Sequence, residues 1–285
     1  MISRVAVIGT GLMGSGIGFV VAKSGIDVTF WCRKGEKGLD RFKARVQQAR
    51  EKKFLSPEQV TSLLTHIEYA IELKEAVKDS DLVIEAVVED LKVKKEIFAK
   101  INRYSSLTTI ISSNTSSLSI KSLSNCTARK ARIVGLHFFN PAPVMQLVEV
   151  VKTDQTSEET INEVIVFLQK INKIPLIVKD YPGFIVNRLL MPTINRAAFL
   201  KMDGVASSHD IDLAMTLGAN HKMGPLATAD LIGIDVCVGI IKQLYNSYQT
   251  PDFEVCPLLE EMVAKGDLGR KTGKGFFRYD SQKQP

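Results

Sequence analysis

The chain has 285 residues, of which 45% are hydrophobic and 24% charged, a composition typical of a soluble globular protein. That length is enough for two domains of roughly 100–200 residues each. No apolar run reaches the roughly 18 residues that a membrane span requires, so we predict no membrane partner.

The formal net charge of +6 is concentrated in one segment. Residues 33–53 contain nine lysines and arginines against three acidic residues, so the remainder of the chain is nearly neutral. A concentrated basic segment attracts a phosphorylated partner, although the same pattern is also typical of a solvated helix face. Because the chain contains no known nucleic-acid-binding motif, we do not predict a nucleic acid as the partner.

The cysteines indicate a reducing compartment. They are scattered and show no metal-ligand spacing, so we predict reduced thiols and no metal site. The four positions are Cys32, Cys126, Cys237 and Cys256. Met1 leads almost directly into the first predicted strand, which leaves no room for a signal peptide. We therefore expect a cytoplasmic protein.

The first motif has the order strand, glycine turn, helix. The apolar run Val5–Ile8 precedes Gly9-x-Gly11-x-x-Gly14, and a helix-like run, Ile17–Ala22, follows. In a dinucleotide site the first glycine permits a tight turn, the second lets the backbone approach a pyrophosphate, and the third lets the helix pack on the strand. The helix N-terminus then offers N–H groups to the phosphates. A tight strand–helix turn without a ligand is the alternative interpretation.

The second predicted strand, Val28–Trp31, bears on the choice of cofactor. In this type of fold a carboxylate at the end of that strand holds the ribose 2′-OH of NAD. Here the next residues are Cys32, Arg33 and Lys34, so the acid is missing and two cations stand where a 2′-phosphate would lie. The sequence therefore leaves NADP open beside NAD.

Polar residues follow a later strand of the predicted sheet. A basic helix is predicted over residues 40–54, and Ser56-Pro57 indicates the start of the next helix. Further strands are predicted at 82–86, 109–112, 133–136, 147–151 and 173–178. Small polar residues occupy 113–117, where the carboxyl end of a strand would border the ligand crevice of a doubly wound sheet. They equally suit a simple turn that caps the following helix.

A histidine and a glutamate flank one short loop. His137 ends one predicted strand, and Glu149 lies on the next strand, on the same face as the apolar Leu147 and Val151. A carboxylate behind an imidazole fixes its tautomer and raises its basicity, as a general base requires. A structural His–Glu pair is the alternative.

The strand pattern ends near residues 180–184, where Asp-Tyr-Pro-Gly-Phe follows the last predicted strand. Helical periodicity then recurs at 185–200, 210–217, 229–248 and 257–265, and a glycine-containing tail follows. We therefore predict an α/β fold with a Rossmann-type doubly wound sheet over residues 1–182. An all-α C-terminal domain follows over residues 183–285.

Several long motifs occur in a fixed order along the chain. They are VIGTGLMGSGI, IEAVVEDLKVKKEIF, SSNTSSLSI, GLHFFNPAPVMQLVEVV, PGFIVNRLLMP, MGPLATADLIGID and GDLGRKTGKGFFRY. With them the chain resembles the short-chain L-3-hydroxyacyl-CoA dehydrogenases, in particular the bacterial 3-hydroxybutyryl-CoA dehydrogenases, continuously from Val5 to Tyr279.

The resemblance implies roles for residues at matching positions. His137 would be the catalytic base, Glu149 would orient it, and Ser116 would contact the substrate hydroxyl. Asn187 would face the reacting centre and contact the substrate as well. The CoA phosphates would lie near Lys52 and Lys53. The implied cofactor contacts are Gly9, Gly11, Leu12, Met13, Gly14, Cys32, Arg33, Glu89, Lys94, Ser116 and Asn140.

The implied activity is interconversion of (S)-3-hydroxyacyl-CoA and 3-oxoacyl-CoA by hydride transfer to or from NAD, with NADP left open by residues 32–34. Short acyl chains such as 3-hydroxybutyryl-CoA are the implied substrates, and a homodimer is the implied assembly. Two alternatives remain: a dehydrogenase acting on a hydroxyacyl group held by an acyl carrier protein, and a non-enzymatic, crystallin-like structural role.

Overall fold

The computed structural model describes residues 1–279, and the chain divides into two compact units. The first unit is Met1–Tyr181 and the second begins at Pro182. Within the described residues, no helix combines the length and apolar character that crossing a membrane would need.

One mostly parallel sheet forms the centre of the first unit. Its strands are β1 (Arg4–Ile8), β2 (Asp27–Trp31), β3 (Ile67–Ala70), β4 (Leu82–Glu85), β5 (Ile110–Ser113), β6 (Ile133–Phe138), β7 (Leu147–Lys152) and β8 (Ile174–Lys179). The spatial order is β3-β2-β1-β4-β5-β6-β7-β8, and only the β6–β7 pair is antiparallel. The order reverses between β1 and β4, which is where a doubly wound sheet binds its ligand. The predicted α/β sheet is thus confirmed.

Helices connect and flank the strands of this sheet. They are α1 (Leu12–Lys23), α2 (Asp40–Glu51), α3 (Pro57–Thr65), α4 (Leu73–Val77), α5 (Leu91–Tyr104), α6 (Ile120–Ser124) and α7 (Glu158–Lys170). All four residues of β4 are buried, as expected for a parallel strand covered on both faces. The Ser56 side chain caps α3 in a capping box with Gln59, which confirms the predicted helix start.

Two local predictions for this unit were inaccurate. The strand β3 was not predicted, because it has only four residues at the sheet edge and its half-exposed sequence Ile-Glu-Tyr-Ala lacks a continuous apolar run. The basic helix ends at Glu51 rather than Phe54, since Lys53 adopts a left-handed φ of 57°.

The second unit is helical, which confirms the predicted all-α C-terminal part. Its helices are α8 (Val186–Met202), α9 (Ser208–Gly218), α10 (Pro225–Ile232), α11 (Ile234–Tyr248) and α12 (Pro257–Lys265). The single helix predicted over 229–248 is wrong. Gly233 has a φ of +107°, a conformation that residues with a side chain rarely adopt, and it separates α10 from α11.

Two buried aspartates organise the second unit around α10. Asp212 accepts hydrogen bonds from the backbone N–H groups of Leu226 and Ala227, 2.8 Å each, in the first turn of that helix. Asp230, at its other end, accepts from the N–H groups of Phe276 and Phe277 and so fixes the glycine-containing tail. Burial raises the pKa of Asp230, against the effect of these hydrogen bonds.

Candidate active site

The glycine turn between β1 and α1 is shaped by close backbone contacts. Gly9 has a φ of +113°, and a Cβ there would lie 2.6 Å from the carbonyl oxygen of Ala86, the residue after β4. A Cβ at Gly14 would lie 1.9 Å from the Gly9 oxygen, whereas a Cβ at Gly11 would meet no atom of the described residues within 4 Å. Among residues 1–279, no side chain caps α1. The first turn of α1 therefore offers its N–H groups in open space, as a pyrophosphate requires.

This geometry predicts opposite effects for two neighbouring glycines. The Gly14→Ala change should cost about 3 kcal/mol or more of unfolding free energy, because its methyl group overlaps a backbone oxygen. Gly11→Ala should cost at most about 1 kcal/mol at this N-cap position, yet raise the NADH dissociation constant at least about tenfold by filling the phosphate space. Urea unfolding and NADH fluorescence titration measure the two effects. Equal stability losses, or unaltered NADH affinity in Gly11→Ala, would contradict this geometry.

A buried ion pair lies at the carboxyl end of β4. The Lys94 amine of α5 donates to both carboxylate oxygens of Glu85, at 2.7 and 3.0 Å, and both side chains are at most 1% exposed. Glu85 also accepts from the Ser113 hydroxyl at 2.6 Å and from the Val87 N–H at 2.7 Å. The pair thus joins β4, β5 and α5 beside the glycine turn.

Glu89 holds the polar loop that follows β5. Its Oε1 accepts hydrogen bonds from the Thr115 hydroxyl at 2.5 Å, the Ser116 N–H at 3.0 Å and the Ser117 hydroxyl at 2.9 Å. Its Oε2 lies 3.3 Å from the Lys94 amine. Burial alone would raise the pKa of Glu89, but the Lys94 charge and these hydrogen bonds outweigh burial and lower it. An ionised Glu89 therefore fixes the position of Ser116.

The histidine and glutamate are brought together by strand pairing. His137 of β6 is the direct partner of Glu149 of β7, and His137 Nδ1 lies 2.8 Å from Glu149 Oε2. His137 is 5% exposed and Glu149 is completely buried. The Phe139 ring packs against the imidazole, with 4.5 Å between ring centroids. Asn114 accepts from the Phe138 N–H at 2.9 Å and so ties the end of β6 to the loop after β5.

The loop between β6 and β7 is anchored by a buried lysine. It contains the exposed Asn140, followed by a cis bond to Pro141. The Lys173 amine, just before β8, donates to the carbonyl oxygens of Ala142 and Met145 at 2.6 Å each. Burial lowers the pKa of Lys173. These contacts hold the chain that connects the His137 strand to the Glu149 strand.

The end of β2 borders a cavity of about 550 Å³. Arg33 is exposed, and its guanidinium carbon lies 5.5 Å from the centre of the Trp31 ring. Lys74 and Lys100 line the same cavity, together with the acidic Glu72 and Glu75. Cys32 is buried, and burial raises the pKa of its thiol to about 11.

The remaining predicted residues are distributed over both units. The helix α1 begins with Leu12, which is exposed, and Met13, which is half-exposed. Lys52 and Lys53 are exposed just after α2. Asn187 lies in the first turn of α8 in the second unit and is 7% exposed. In the first unit, His137 and Glu149 are in direct contact, and Ser116, Glu89 and Lys94 belong to one network.

Glu85 is the principal residue that the sequence analysis missed. The sequence feature that could have identified Glu85 is a carboxylate at the end of the otherwise apolar segment Leu82–Glu85. An acidic residue in an apolar strand also identified Glu149. Lys173 gave no comparable signal, because a lysine before an apolar strand normally lies in solvent.

Comparison with known proteins decides the family. The model of the 3-hydroxyacyl-CoA dehydrogenase NAD-binding domain matches residues 4–181, and that of the corresponding C-terminal domain matches residues 183–279. The chain belongs to the 3-hydroxyacyl-CoA dehydrogenase family. It is therefore an oxidoreductase, and its first unit binds a nicotinamide dinucleotide, in agreement with the open glycine turn.

Relatives of this dehydrogenase cover nearly its whole length. The 3-hydroxybutyryl-CoA dehydrogenase of Clostridioides difficile is 42% identical, over 97% of this chain and 99% of the relative. The human mitochondrial hydroxyacyl-coenzyme A dehydrogenase is 41% identical, over 98% of this chain and 92% of the relative. The crystal structure of (S)-3-hydroxybutyryl-CoA dehydrogenase from Ralstonia eutropha has a TM-score of 0.91 and 38% sequence identity, over 99% of this chain and 100% of that chain.

Proposed function

We propose that this dehydrogenase interconverts short-chain (S)-3-hydroxyacyl-CoA and 3-oxoacyl-CoA, with His137 as the general base and Glu149 as its positioning residue. The buried contact of 2.8 Å between His137 Nδ1 and Glu149 Oε2 is the observation that carries the proposal. The names of the relatives support the choice of a 3-hydroxybutyryl group.

The contact with Glu149 determines which nitrogen of neutral His137 carries the proton. An ionised carboxylate only accepts hydrogen bonds, so Glu149 requires the proton of neutral His137 to be on Nδ1. Nε2 then carries the basic lone pair that removes the proton from the 3-hydroxyl group, and the imidazolium formed is stabilised by Glu149. When bound, the nicotinamide supplies the hydride acceptor for oxidation or the donor for reduction. In the reduction direction, protonated His137 returns the proton to the 3-oxygen.

Three further residues complete the proposed site. Ser116 donates a hydrogen bond to the substrate oxygen, held in place by its N–H contact with Glu89. We propose that Asn187 of α8 contacts the substrate and that Asn140 contacts the nicotinamide. Fixed donors of this kind lower the barrier because they are oriented before the substrate binds. We also propose that the protein is a homodimer.

Oxidation of NADH or NADPH by acetoacetyl-CoA, followed at 340 nm with the whole chain, tests the proposal. We expect turnover that depends on both substrates and yields the (S)-3-hydroxy product. Absence of turnover with either nucleotide would contradict it and favour the crystallin-like role. Turnover of the acetoacetyl group only when it is carried by an acyl carrier protein would instead favour the carrier-protein alternative.

We propose that the enzyme also accepts NADP(H). No carboxylate immediately follows β2, and the cations Arg33, Lys74 and Lys100 outnumber the acidic Glu72 and Glu75 in the lining of the adjoining cavity, which favours an additional phosphate. We expect kcat/KM for NADPH to lie within about tenfold of the value for NADH or above it, and Arg33→Ala to lower the NADPH value selectively. A preference for NADH above about a hundredfold would contradict this prediction.

A further inference from the structure

Glu85 is a buried carboxylate that the proposed reaction does not use. It is the last residue of β4 and is completely buried, and its main partner is the Lys94 amine of α5. Taking two charges out of water is costly, and apolar residues packed in the same place are often as stabilising or more so. The charge of Glu85 therefore indicates a role beyond holding β4 against α5.

The charges around Lys94 do not balance. Its amine contacts both carboxylate oxygens of Glu85 and lies 3.3 Å from Glu89 Oε2, so one cation is shared by two carboxylates. Burial raises the pKa of Glu89, but the Lys94 charge and the hydrogen bonds from the loop after β5 outweigh burial and keep Glu89 ionised. In residues 1–279, neither Glu85 nor Glu89 pairs with a second cation. The three residues together carry one net negative charge.

The other charged residues at the start of α5 do not cancel this charge. Asp90, Lys92 and Glu96 are exposed, and Lys95 is half-exposed. Two of them are acidic and two are basic, so their charges sum to zero, and water and salt screen them. The buried part of this segment is therefore the source of a fixed negative charge.

The strand order places this charge between the glycine turn and His137. The glycine turn follows β1 and receives the pyrophosphate, whereas His137 lies on β6 and serves the oxygen of the reacting carbon. Since β4 and β5 lie between β1 and β6, a nicotinamide that reaches this carbon crosses the carboxyl ends of β4 and β5. Those ends carry Glu85 and the loop that Glu89 holds. This position of the nicotinamide rests on the proposed function.

We propose that Glu85, Lys94 and Glu89 hold one net negative charge beside the nicotinamide, and that this charge favours the oxidised nucleotide. The ring of NAD⁺ is positively charged and the ring of NADH is neutral, while the phosphates and riboses are the same. A fixed negative charge in the protein interior therefore stabilises bound NAD⁺ relative to bound NADH. Glu85 supplies this charge, because Lys94 and Glu89 alone would neutralise each other.

The test is the ratio of the dissociation constants of NADH and NAD⁺, measured on the full chain without a thioester. NADH is titrated by its fluorescence, and NAD⁺ by competition with it. We expect Glu85→Gln to lower this ratio at least about threefold, because NAD⁺ loses affinity relative to NADH. Lys94→Met should raise the ratio, since it leaves two negative charges. The double variant Glu85→Gln/Lys94→Met again carries one negative charge and should lie within about twofold of the wild type.

The ratio separates an effect of charge from a loss of structure. A contact that both nucleotides make cancels in it, so a merely structural role of Glu85 would weaken NADH and NAD⁺ equally. That result, or a double variant shifted as far as Glu85→Gln, would overturn the proposal. If Glu85→Gln does not fold, Lys94→Met and the double variant still differ only in the charge at residue 85. The ratio should then be at least about threefold lower in the double variant, and equal ratios would overturn the proposal.

Glu96→Gln is the matched control, because it removes an exposed carboxylate of the same helix. Its ratio should equal that of the wild type, since solvent screens this charge. A shift as large as that in Glu85→Gln would show that the overall charge of the protein acts, and it would overturn the role of the buried residues. Failure of the wild type to reduce acetoacetyl-CoA would contradict the proposed function instead, because the binding ratio is measured without turnover.

Discussion

Replacing His137 with glutamine is expected to lower kcat for acetoacetyl-CoA reduction by about 10²- to 10⁴-fold, the usual contribution of a general acid or base. Glutamine can still donate a hydrogen bond to Glu149, so the buried carboxylate keeps a partner. The affinity for NADH should remain within about twofold of the wild type, because the glycine turn of α1 is untouched. Steady-state kinetics and NADH fluorescence titration measure the two quantities.

The Glu149→Gln variant is the companion to this experiment. Its amide is neutral and no longer fixes the proton of His137 on Nδ1 or stabilises the imidazolium, yet His137 itself remains. We therefore expect a smaller loss of kcat than in His137→Gln. A wild-type kcat in either variant would remove the role assigned to the pair.

Replacing Lys94 with methionine is expected to destabilise the protein by about 3–5 kcal/mol, because it leaves the Glu85 charge buried without its main partner. Glu85 is completely buried at the end of β4, and Lys94 is 1% exposed. The same change also removes the cation that lowers the pKa of Glu89, so the loop carrying Ser116 should loosen. Urea unfolding measures the loss of stability.

Two variants make this prediction specific to the buried pair. Lys92→Met removes an exposed lysine of the same helix and should change the free energy of unfolding by no more than about 0.5 kcal/mol. The double variant Glu85→Gln/Lys94→Met removes both charges and should be more stable than Lys94→Met alone. A double variant as unstable as the sum of the two single variants would show that Glu85 and Lys94 are not coupled.

Local sequence was sufficient for much of this fold. The strand β1, the glycine turn and α1 were predicted because each is specified by neighbouring residues. The contact of His137 with Glu149 was predicted because a short loop joins their antiparallel strands, so pairing follows from the chain itself. The helical second unit was predicted from its apolar periodicity.

Features that depend on packing between distant residues could not be predicted from the sequence. Nothing near β3 shows that the edge of the sheet extends there, and the break at Gly233 requires a positive φ that periodicity does not encode. Glu85 lies on a strand and Lys94 on the helix that follows it, and no strand pairing fixes their contact, so only the folded structure shows them sharing a buried site.

The most direct test of the central claim is a crystal structure of the enzyme with NAD⁺ and acetoacetyl-CoA bound. We expect His137 Nε2 to lie about 2.6–3.2 Å from the 3-oxygen of the substrate, with Nδ1 still donating to Glu149. We also expect C3 to face the nicotinamide ring. A complex in which the imidazole points away from the 3-oxygen, or has separated from Glu149, would contradict this account.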